Sequence, residues 1–540
     1  MKRLKLLLLM AMMLLLCAGV VFYASPYAPV AGGPVEIEEL WAIEDARQES
    51  EMPLVTALEN FGVPLAYDKN ENTFYCSIGL ENGEEWPELH LTAPRAKGVS
   101  ICFSDDYTYD YCSDAIAEGY SYELMAYTDT QYSYFYIVFT GLPVVSIHAA
   151  EEMTTEDSPI HFAMGVYGEG GMNGPARAHL RGDGSLAWTQ KKGYKVEFTR
   201  ERDGVGKVLR NVPGFGQQDS LLLLPMSFDE TLMRDRLSWA MYGKVMPQTE
   251  SFSAPETRYA EVFVNDEYMG VYLLMPPFNI GNELAKEGSS AVLTDSLYRT
   301  GVPSMGKDKP MVVDSGIHAP AYELFYAPDM QRPFAALEAY INLWNEEDDE
   351  AFRRKVLDCV DLDSAVRYMM FLEAAGLADN TNNNLYIWAH KENDRMMYRF
   401  RPWDMDRSWG IDAGHEFEAW FVIPIMDRIV NLNIGGTREM LATVWEEMKQ
   451  SGFTYETVEM LVEQYSRELN ESGAFMRNTM RWDVEAASAE GQKILNFSNA
   501  RFPMLDEAVA RVNESEEPIS FLSQDIRKDA LMITPMVVFE

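Results

Sequence analysis

The chain of 540 residues is longer than one hydrophobic core usually supports, so two folded units after a targeting segment are expected. Hydrophobic residues make up 47% of the chain and aromatic residues 12%, which argues against a disordered protein. The formal net charge of −39 argues against a nucleic-acid partner, because so acidic a chain repels phosphate backbones.

The N-terminus has the composition of an export signal. Lys2, Arg3 and Lys5 precede 19 almost entirely apolar residues, 6–24, a length that can cross a bilayer. The basic residues keep this end cytoplasmic, so the rest of the chain is expected outside the membrane. Because no small residue occupies a suitable cleavage position, a retained signal anchor is favoured, with cleavage and secretion as the alternative. Residues 1–35 are therefore predicted to form this segment and a short tether rich in Pro, Gly and Ala.

Residues 36–148 are predicted to form a small β-rich domain. Short alternating runs separated by turns, such as residues 131–139, are typical of strands. Tyr132, Tyr134 and Tyr136 share one face of this run. Such a face can bind sugars or a partner, but ordinary packing is the favoured interpretation.

The five cysteines do not have the spacing of a zinc finger, so a structural zinc site is not expected. Cys17 follows a leucine rather than a small residue, which argues against a lipoprotein site. In an exported protein, one disulfide among Cys76, Cys102 and Cys112 is an open possibility, and the sequence does not determine the pairing.

Residues 149–540 are predicted to form a second unit with an α+β fold, in which strands come first and helices follow. A turn signal at Asn265-Asp266 indicates a hairpin between two apolar stretches. The clearest strand signals are three apolar runs, at residues 193–198, 220–226 and 259–275.

The most informative stretch begins with a capped helix. Asp361 or Asp363 is expected to cap a helix that ends near Gly376. Two strands joined by a turn follow, at about residues 385–390 and 396–401. Antiparallel pairing of these strands brings the residue before the first strand close to the residues after the second.

This pairing places Asn384 near Asp404. Asp404 and Asp406 are two residues apart, so in an extended chain both carboxylates face one side while Met405 faces the core. With the amide oxygen of Asn384, the two carboxylates form a set of hard oxygen ligands suited to Mg²⁺ or Mn²⁺. A solvated acidic turn is the alternative interpretation of such a pair.

Asp379 lies in the loop after the predicted helix. Asp379 and Asn384 have the spacing D-x-x-x-x-N, which kinase catalytic loops use for a base aspartate and a metal-binding asparagine. A metal-binding aspartate comes later in those loops, as Asp404 does here. No His-Arg pair precedes Asp379 and no Asp-Phe-Gly follows it, so the chain is not an ordinary protein kinase.

Phosphoryl transfer also needs cations around the phosphates. The stretch RGDGSLAWTQKKGYKVEF, residues 181–198, offers Arg181 before a turn with Gly and Ser, and Lys191, Lys192 and Lys195 at the start of a strand. Solvent-facing lysines at the edge of a sheet are the alternative interpretation.

Several motifs in this order resemble the spore coat protein H (CotH) kinase family, over roughly residues 150–510. RGDGS and KKGYKVEF resemble the family's RGNS-like loop and the lysine motif that follows it. LLPMSFDETLMRDRL resembles a block whose polar positions are Asp229 and Arg234 here. VNDEYMGVYLL, DNTNNNLY and PWDMD resemble three further motifs of the family.

The resemblance implies an atypical, kinase-like fold that transfers phosphate from ATP, with Mg²⁺ or Mn²⁺, to Ser or Thr of a protein. A basic, Ser-rich segment is the expected substrate, because the chain is acidic. The resemblance implies a catalytic base, Asp379; metal ligands, Asn384, Asp404 and Asp406; and residues that contact ATP, Arg181, Lys192 or Lys195, Asp229 and Arg234.

Two positions depart from the family pattern. Pro276 stands where many relatives have a glutamate, and Asp183 replaces an asparagine of the RGNS-like loop. A catalytically degenerate binding or scaffold protein of the cell surface is therefore the alternative function. A glycoside hydrolase is a further alternative, in which Trp403 and Trp409 would stack on sugar.

Overall fold

A computed structural model describes residues 28–29, 37–79, 89–94, 96, 98–104, 112–245, 254–278, 295–300, 322–381, 383–392, 394–411, 424–482 and 488–514. The fold is α+β, as predicted. Among the helices in these ranges, none combines the length and the apolar character needed to cross a membrane. The predicted signal anchor, residues 6–24, lies outside the described residues.

The N-terminal part is rich in strands. Its elements are β1 (Ala28–Pro29), α1 (Ile37–Asp45), β2 (Gln48–Glu49), β3 (Glu59–Asn60), β4 (Val63–Pro64), β5 (Ala66–Asp68), β6 (Thr73–Ser77), β7 (Leu91–Ala93), β8 (Ser100–Phe103), α2 (Cys112–Ala117), β9 (Ser121–Tyr127) and β10 (Gln131–Thr140). One sheet has the order β1-β7-β3-β4, and the other has the order β5-β6-β10-β9-β8 with β2 on β10.

The tyrosine face of β10 is used for packing. The Tyr134 hydroxyl donates a hydrogen bond to Glu44 Oε1 at 2.6 Å, and the Tyr136 hydroxyl donates to Glu123 Oε2 at 3.2 Å. Helix α1 also buries Leu40 and Ile43 in a cluster that Tyr132 and Tyr134 border. These contacts favour the packing interpretation over a sugar-binding face.

The described cysteines are free thiols. Cys76 and Cys102 are both buried free thiols, which excludes the possible disulfide among Cys76, Cys102 and Cys112, since any such pair needs one of the first two. Burial raises the pKa of the Cys76 thiol to about 12 and that of Cys102 to about 11. Both thiols are therefore protonated and unreactive at neutral pH.

A closed barrel follows. This part of the chain contains β11 (Val144–Ala149), β12 (Ser158–Val166), β13 (Gly170–Arg181), α3 (Asp183–Trp188), β14 (Gly193–Phe198), β15 (Arg210–Val212), β16 (Gly216–Gln218), β17 (Ser220–Leu224), α4 (Arg234–Val245), β18 (Arg258–Val264) and β19 (Tyr268–Met275). Strands β15 and β16 pair with each other in a separate two-stranded sheet. The barrel order is β11-β12-β13-β14-β17-β19-β18, and β11 closes it by parallel pairing with β18.

Alternation along the strands fills the barrel with apolar side chains. On β14, Tyr194 and Val196 belong to the interior cluster, whereas Lys195 forms an ion pair with Glu197. The predicted hairpin is confirmed between β18 and β19, because Asn265 and Asp266 have φ values of 51° and 60°, which a tight primed turn requires.

The C-terminal part consists of helices around a further sheet of four strands, in the order β21-β20-β22-β23. Its elements are β20 (Ser296–Thr300), β21 (Tyr322–Tyr326), α5 (Ala335–Trp344), α6 (Asp349–Cys359), α7 (Leu362–Ala375), β22 (Leu385–Glu392), β23 (Arg395–Pro402), α8 (Pro424–Asn431), α9 (Thr437–Gln450), α10 (Tyr455–Glu471), α11 (Ala474–Trp482) and α12 (Ser488–Glu514).

The capped helix before the hairpin is confirmed as α7. The Asp361 carboxylate accepts a hydrogen bond from the Ser364 backbone N–H at 3.1 Å, and Gly376 ends the helix in the left-handed conformation with φ of 68°. Nearly every side chain of α7 is buried, so the helix is a central support for the loop that follows it.

Candidate functional site

The hairpin β22–β23 brings two loops together, as predicted. Leu385 pairs with Pro402, and the Trp403 backbone N–H donates to the Asn384 carbonyl at 2.9 Å. The side-chain amide of buried Asn380 donates to the carbonyl oxygens of Asn384, at 3.1 Å, and Trp403, at 2.7 Å. The loop after α7 and the chain leaving β23 are thus fixed to each other.

Asp379 and Asn384 form a direct pair at this junction. Asp379 starts a short 3₁₀ turn, Asp379–Thr381, and is half-buried. The Asn384 amide N–H donates to Asp379 Oδ2 at 2.8 Å. Asn384 has a φ of 50°, a conformation that a non-glycine residue adopts only when its surroundings hold it there. The pairing leaves the Asn384 amide oxygen available to a cation.

Asp404 and Asp406 lie on a turn rather than on an extended strand, because β23 ends at Pro402 and Asp404 has a φ of 56°. The prediction of extended backbone here is therefore wrong. Met405 is nevertheless buried in the core, as expected. Asp404 is exposed and Asp406 is half-buried, and the charge of Asp404 contributes to the raised pKa of Asp406.

A third carboxylate, Asp235, joins this pair, and the sequence reasoning missed it. Asp235 lies in the first turn of α4, is 3% exposed, and accepts a hydrogen bond from the Met405 backbone N–H at 3.3 Å. Burial, and then the charge of Asp404, raise the pKa of Asp235 to about 7. The one available signal was its place directly after Arg234 in the motif MRDRL.

Helix α4 fixes the acidic turn at further points. Ser238 Oγ lies 2.8 Å from Ser408 Oγ and accepts a hydrogen bond from Trp409 Nε1 at 2.9 Å. Both Ser238 and Trp409 are fully buried. The turn that carries Asp404 and Asp406 is therefore held in place by a helix from a distant part of the sequence.

Asp229 and Arg234 hold the start of α4. Asp229 Oδ2 accepts from the Arg234 backbone N–H at 2.7 Å, and Asp229 Oδ1 accepts from the Arg234 guanidinium at 2.6 Å and from the Thr231 hydroxyl at 2.7 Å. Both residues are buried. These contacts fix the start of α4 and so position Asp235, the next residue. Contact of Asp229 or Arg234 with ATP stays a prediction.

Arg181 is the predicted cation that interacts electrostatically with an acid of the turn, Asp404. It ends β13, its guanidinium carbon lies 5.6 Å from the centroid of the Trp403 ring, and burial lowers its pKa while Asp404 opposes that change. The charge of Arg299 on β20 also acts on Arg181. Arg181 therefore borders the acidic turn, and Arg299 lies within electrostatic reach of Arg181.

The lysines are placed elsewhere. Lys192 Nζ donates to the carbonyl oxygens of Ser185, at 3.2 Å, Leu186, at 3.0 Å, and Thr189, so that it caps the end of α3. The loop expected there is partly this short helix. Lys195 Nζ lies 2.9 Å from Glu197 Oε1. The structure does not bring either ammonium to Asp404 or Asp406, and a phosphate contact from either lysine stays a prediction.

Lys191 links the barrel to the C-terminal helices. Its ammonium is buried and donates to Asn478 Oδ1 of α11 at 2.9 Å and to the carbonyl of Val271 on β19. Burial lowers the pKa of Lys191 to about 7. These contacts join the barrel to the C-terminal helices.

The acids suit a hard divalent cation. Within the described ranges, no three acidic, histidine or cysteine side chains are already placed to share one metal ion. Mg²⁺ does not require such a group, because proteins usually hold it through one or two carboxylates while water and phosphate oxygens complete its shell. Burial and the charges of Asp404 and Asp235 raise the pKa of Asp406 well above its usual range, and a dication relieves such crowding.

We expect the metal-free protein to lose stability through Asp235 as the pH rises. A carboxyl group with a raised pKa in the folded state stabilises the fold while it is protonated, so this contribution is full below the ordinary pKa of 3.8 and is lost as the pH rises to about 7. Asp235→Asn is neutral throughout and should show a smaller fall in melting temperature over this range, measured with a chelator present.

The matched control for this experiment is Asp394→Asn at the exposed turn between β22 and β23, where the aspartate side chain is 95% exposed. This variant should follow the wild-type profile. Identical pH profiles for the wild type and Asp235→Asn would contradict the raised pKa of Asp235.

The described fold is α+β, and its candidate site joins the Asp379–Asn384 pair to the turn that carries Asp404 and Asp406, which rests on α4. The family model described as CotH kinase protein matches residues 178–504, well over half of the chain. The chain belongs to the CotH kinase family, whose members are described as atypical kinases. A comparison with curated proteins finds no match.

Proposed function

We propose that the chain is a metal-dependent atypical protein kinase that transfers the γ-phosphate of ATP to a Ser or Thr hydroxyl of another protein. The observation that carries this proposal is the crowding of Asp404, Asp406 and Asp235 beside the Asp379–Asn384 pair. In this group Asp235 is buried and Asp406 is half-buried, and both lie within reach of the charge of exposed Asp404, so a cation is required before a polyphosphate can approach.

Asn384 and Asp404, with Asp406 beside them, would hold the cation, which in such sites neutralises charge on the phosphate oxygens. Arg181 adds a guanidinium next to Trp403. A guanidinium suits this position because it keeps its charge when buried and can contact two phosphate oxygens at once.

Asp379 would act as the catalytic base. Its Oδ2 accepts the hydrogen bond from Asn384 at 2.8 Å, which fixes the carboxylate. Its Oδ1 accepts a longer hydrogen bond from Asn383 Nδ2, at 3.4 Å, and would take the proton of the acceptor hydroxyl. The hydroxyl oxygen forms a bond to the γ-phosphorus, the bond from that phosphorus to the β-phosphate oxygen breaks, and ADP leaves with the bonding electrons.

A catalytically degenerate binding or scaffold protein is the second candidate function. The observation that favours it is the position of Lys192. Its ammonium donates hydrogen bonds to carbonyl oxygens at the end of α3 instead of facing the acids. A glycoside hydrolase is disfavoured, because Trp403 and Trp409 are buried at 4% and 0% exposure and offer no open surface to a sugar.

Nucleotide-binding calorimetry separates the candidates. The kinase proposal predicts ATP binding when Mg²⁺ or Mn²⁺ is present and none with a chelator, followed by phosphate transfer to a basic, Ser-rich peptide. A folded protein that fails to bind ATP at millimolar Mg²⁺ and Mn²⁺ would contradict the kinase proposal and favour the scaffold.

We also propose that the protein is held at the outer side of a membrane by residues 6–24, with the rest of the chain outside. Protease added to intact cells should then digest residues 149–540 while cytoplasmic markers survive. Protection of these residues, under conditions that digest a known surface protein, would contradict both this location and an extracytoplasmic substrate.

A further inference from the structure

Asn380, the residue after Asp379, lies at the junction of the two loops and is 0% exposed. Its backbone is fixed on two sides. The Tyr368 hydroxyl on α7 donates to the Asn380 carbonyl at 2.7 Å, and the Asn380 backbone N–H donates to the Leu377 carbonyl at 3.2 Å. The side chain of Asn380 therefore extends from a point that is held against the central helix.

The side-chain amide of Asn380 binds a peptide group beside each of two proposed metal ligands. Its Nδ2 carries two hydrogens and donates to the carbonyl of Asn384, at 3.1 Å, and to that of Trp403, at 2.7 Å. The first carbonyl belongs to the peptide group that follows Asn384, and the second to the peptide group that precedes Asp404. Because a peptide group is planar, holding its oxygen restricts the orientation of the ligand residue joined to it.

Both ligand residues have a backbone conformation that needs such support. Asn384 has a φ of 50° and Asp404 a φ of 56°, both in the left-handed region. Residues other than glycine persist there only where their surroundings hold them, and such residues are common at active sites. A single amide group therefore supports two strained positions that lie on different loops.

Fold stability alone does not account for this buried amide. Asn380 Oδ1 is buried and has no hydrogen-bond donor among the described residues. A buried acceptor without a donor opposes folding, because it has lost its hydration without a replacement. The feature of Asn380 that offsets this loss is its pair of hydrogen bonds to the two loops.

We propose that Asn380 is a positioning residue of the phosphate-transfer reaction, which sets the distance between Asn384 and Asp404 and thereby the affinity for the divalent cation. This inference rests on the proposed kinase function. Asn380 acts through the peptide groups that it binds, and the ligand side chains make the contacts to the cation. Groups that orient metal ligands in this way commonly change metal affinity by roughly 10–100-fold when they are removed.

Asn380→Ala in the full chain tests this role. The Mn²⁺ concentration that half-saturates the protein in the presence of ATP, measured by electron paramagnetic resonance of free Mn²⁺, should rise about tenfold or more. Both ligand side chains are still present in this variant, so the change reports their positions. A residue that only stabilised the fold would lower the melting temperature without changing the Mn²⁺ affinity of the folded protein.

The matched control is Asn478→Ala, the same substitution at a buried asparagine of α11. Asn478 Oδ1 accepts hydrogen bonds from Lys191 Nζ at 2.9 Å and from the Val271 backbone N–H at 3.0 Å. This variant should also lower the melting temperature, because it removes two buried hydrogen bonds. It should leave the half-saturating Mn²⁺ concentration unchanged.

The outcomes separate this inference from the proposed function. Wild-type protein that binds no ATP with Mn²⁺ would overturn both. ATP binding by the wild type, with unchanged Mn²⁺ affinity in folded Asn380→Ala or an equal loss in Asn478→Ala, would overturn the inference alone. If Asn380→Ala does not fold, the side-chain amide resonances of Asn380 in the ¹⁵N-labelled wild type provide the readout. They should shift when Mg²⁺ and ATP are added, and resonances that stay in place would overturn the inference.

Discussion

Asp404→Asn is expected to abolish metal-dependent binding of ATP, whereas Asp379→Asn should leave binding nearly unchanged and slow phosphate transfer by roughly 10²–10⁴-fold. The two residues differ in what they contact. Asp404 lies in the cluster of acids that requires a cation, and its loss removes charge from the metal site. Asp379 is paired with Asn384 and is placed to act on the acceptor hydroxyl.

Calorimetry with ATP and Mn²⁺, together with single-turnover transfer to a Ser-rich peptide, separates the two effects. Asp394→Asn is the matched control, because it makes the same chemical change at a side chain that is 95% exposed. It should alter neither measurement. Complete loss of ATP binding in folded Asp379→Asn, or unchanged metal dependence in Asp404→Asn, would contradict the assigned roles.

Arg501→Met is expected to destabilise the protein by about 3–5 kcal/mol, because it leaves a carboxylate buried without its partner. Arg501 on α12 and Glu373 on α7 are both fully buried, and their NH2 and Oε2 atoms lie 2.8 Å apart. Arg501 Nε also donates to the Glu373 carbonyl at 2.7 Å. The free energy of unfolding, measured by urea denaturation, gives the size of the effect.

Two further variants test the cause of this loss. Combining Arg501→Met with Glu373→Leu should recover much of the stability, since no unpaired charge remains in the core. Lys355→Met breaks an ion pair in which the lysine is 49% exposed and should change stability little. A loss as large in the double variant as in Arg501→Met would show that the cause is packing rather than the unpaired charge.

The parts of the site that the sequence predicted depend on local signals. The cap at Asp361, the left-handed end at Gly376 and the spacing of the two strands determine where the hairpin lies. Strand pairing then necessarily brings Asn384 to Trp403. Each step uses residues close in sequence, and for this reason the loop pair could be predicted without the structure.

The parts that the sequence did not predict depend on contacts between distant elements. Asp235 reaches the acidic turn only because α4 packs against it, and the apolar pattern of α4 does not reveal that orientation. The Gly- and Ser-containing residues 182–185 predict a loop, which would place Lys192 beside phosphates. They instead enter helix α3, whose carbonyls bind the ammonium.

The parallel pairing of β11 with β18 also determines when the barrel can form during synthesis. Val144 pairs with Glu261, and every other barrel strand except β19 is made between the two. At about 5–20 residues per second, the ribosome needs several seconds to supply β18 after β11. During that time the strands have open edges that can pair with other chains. Any delay in making β18 therefore prolongs the period in which the incomplete barrel can aggregate.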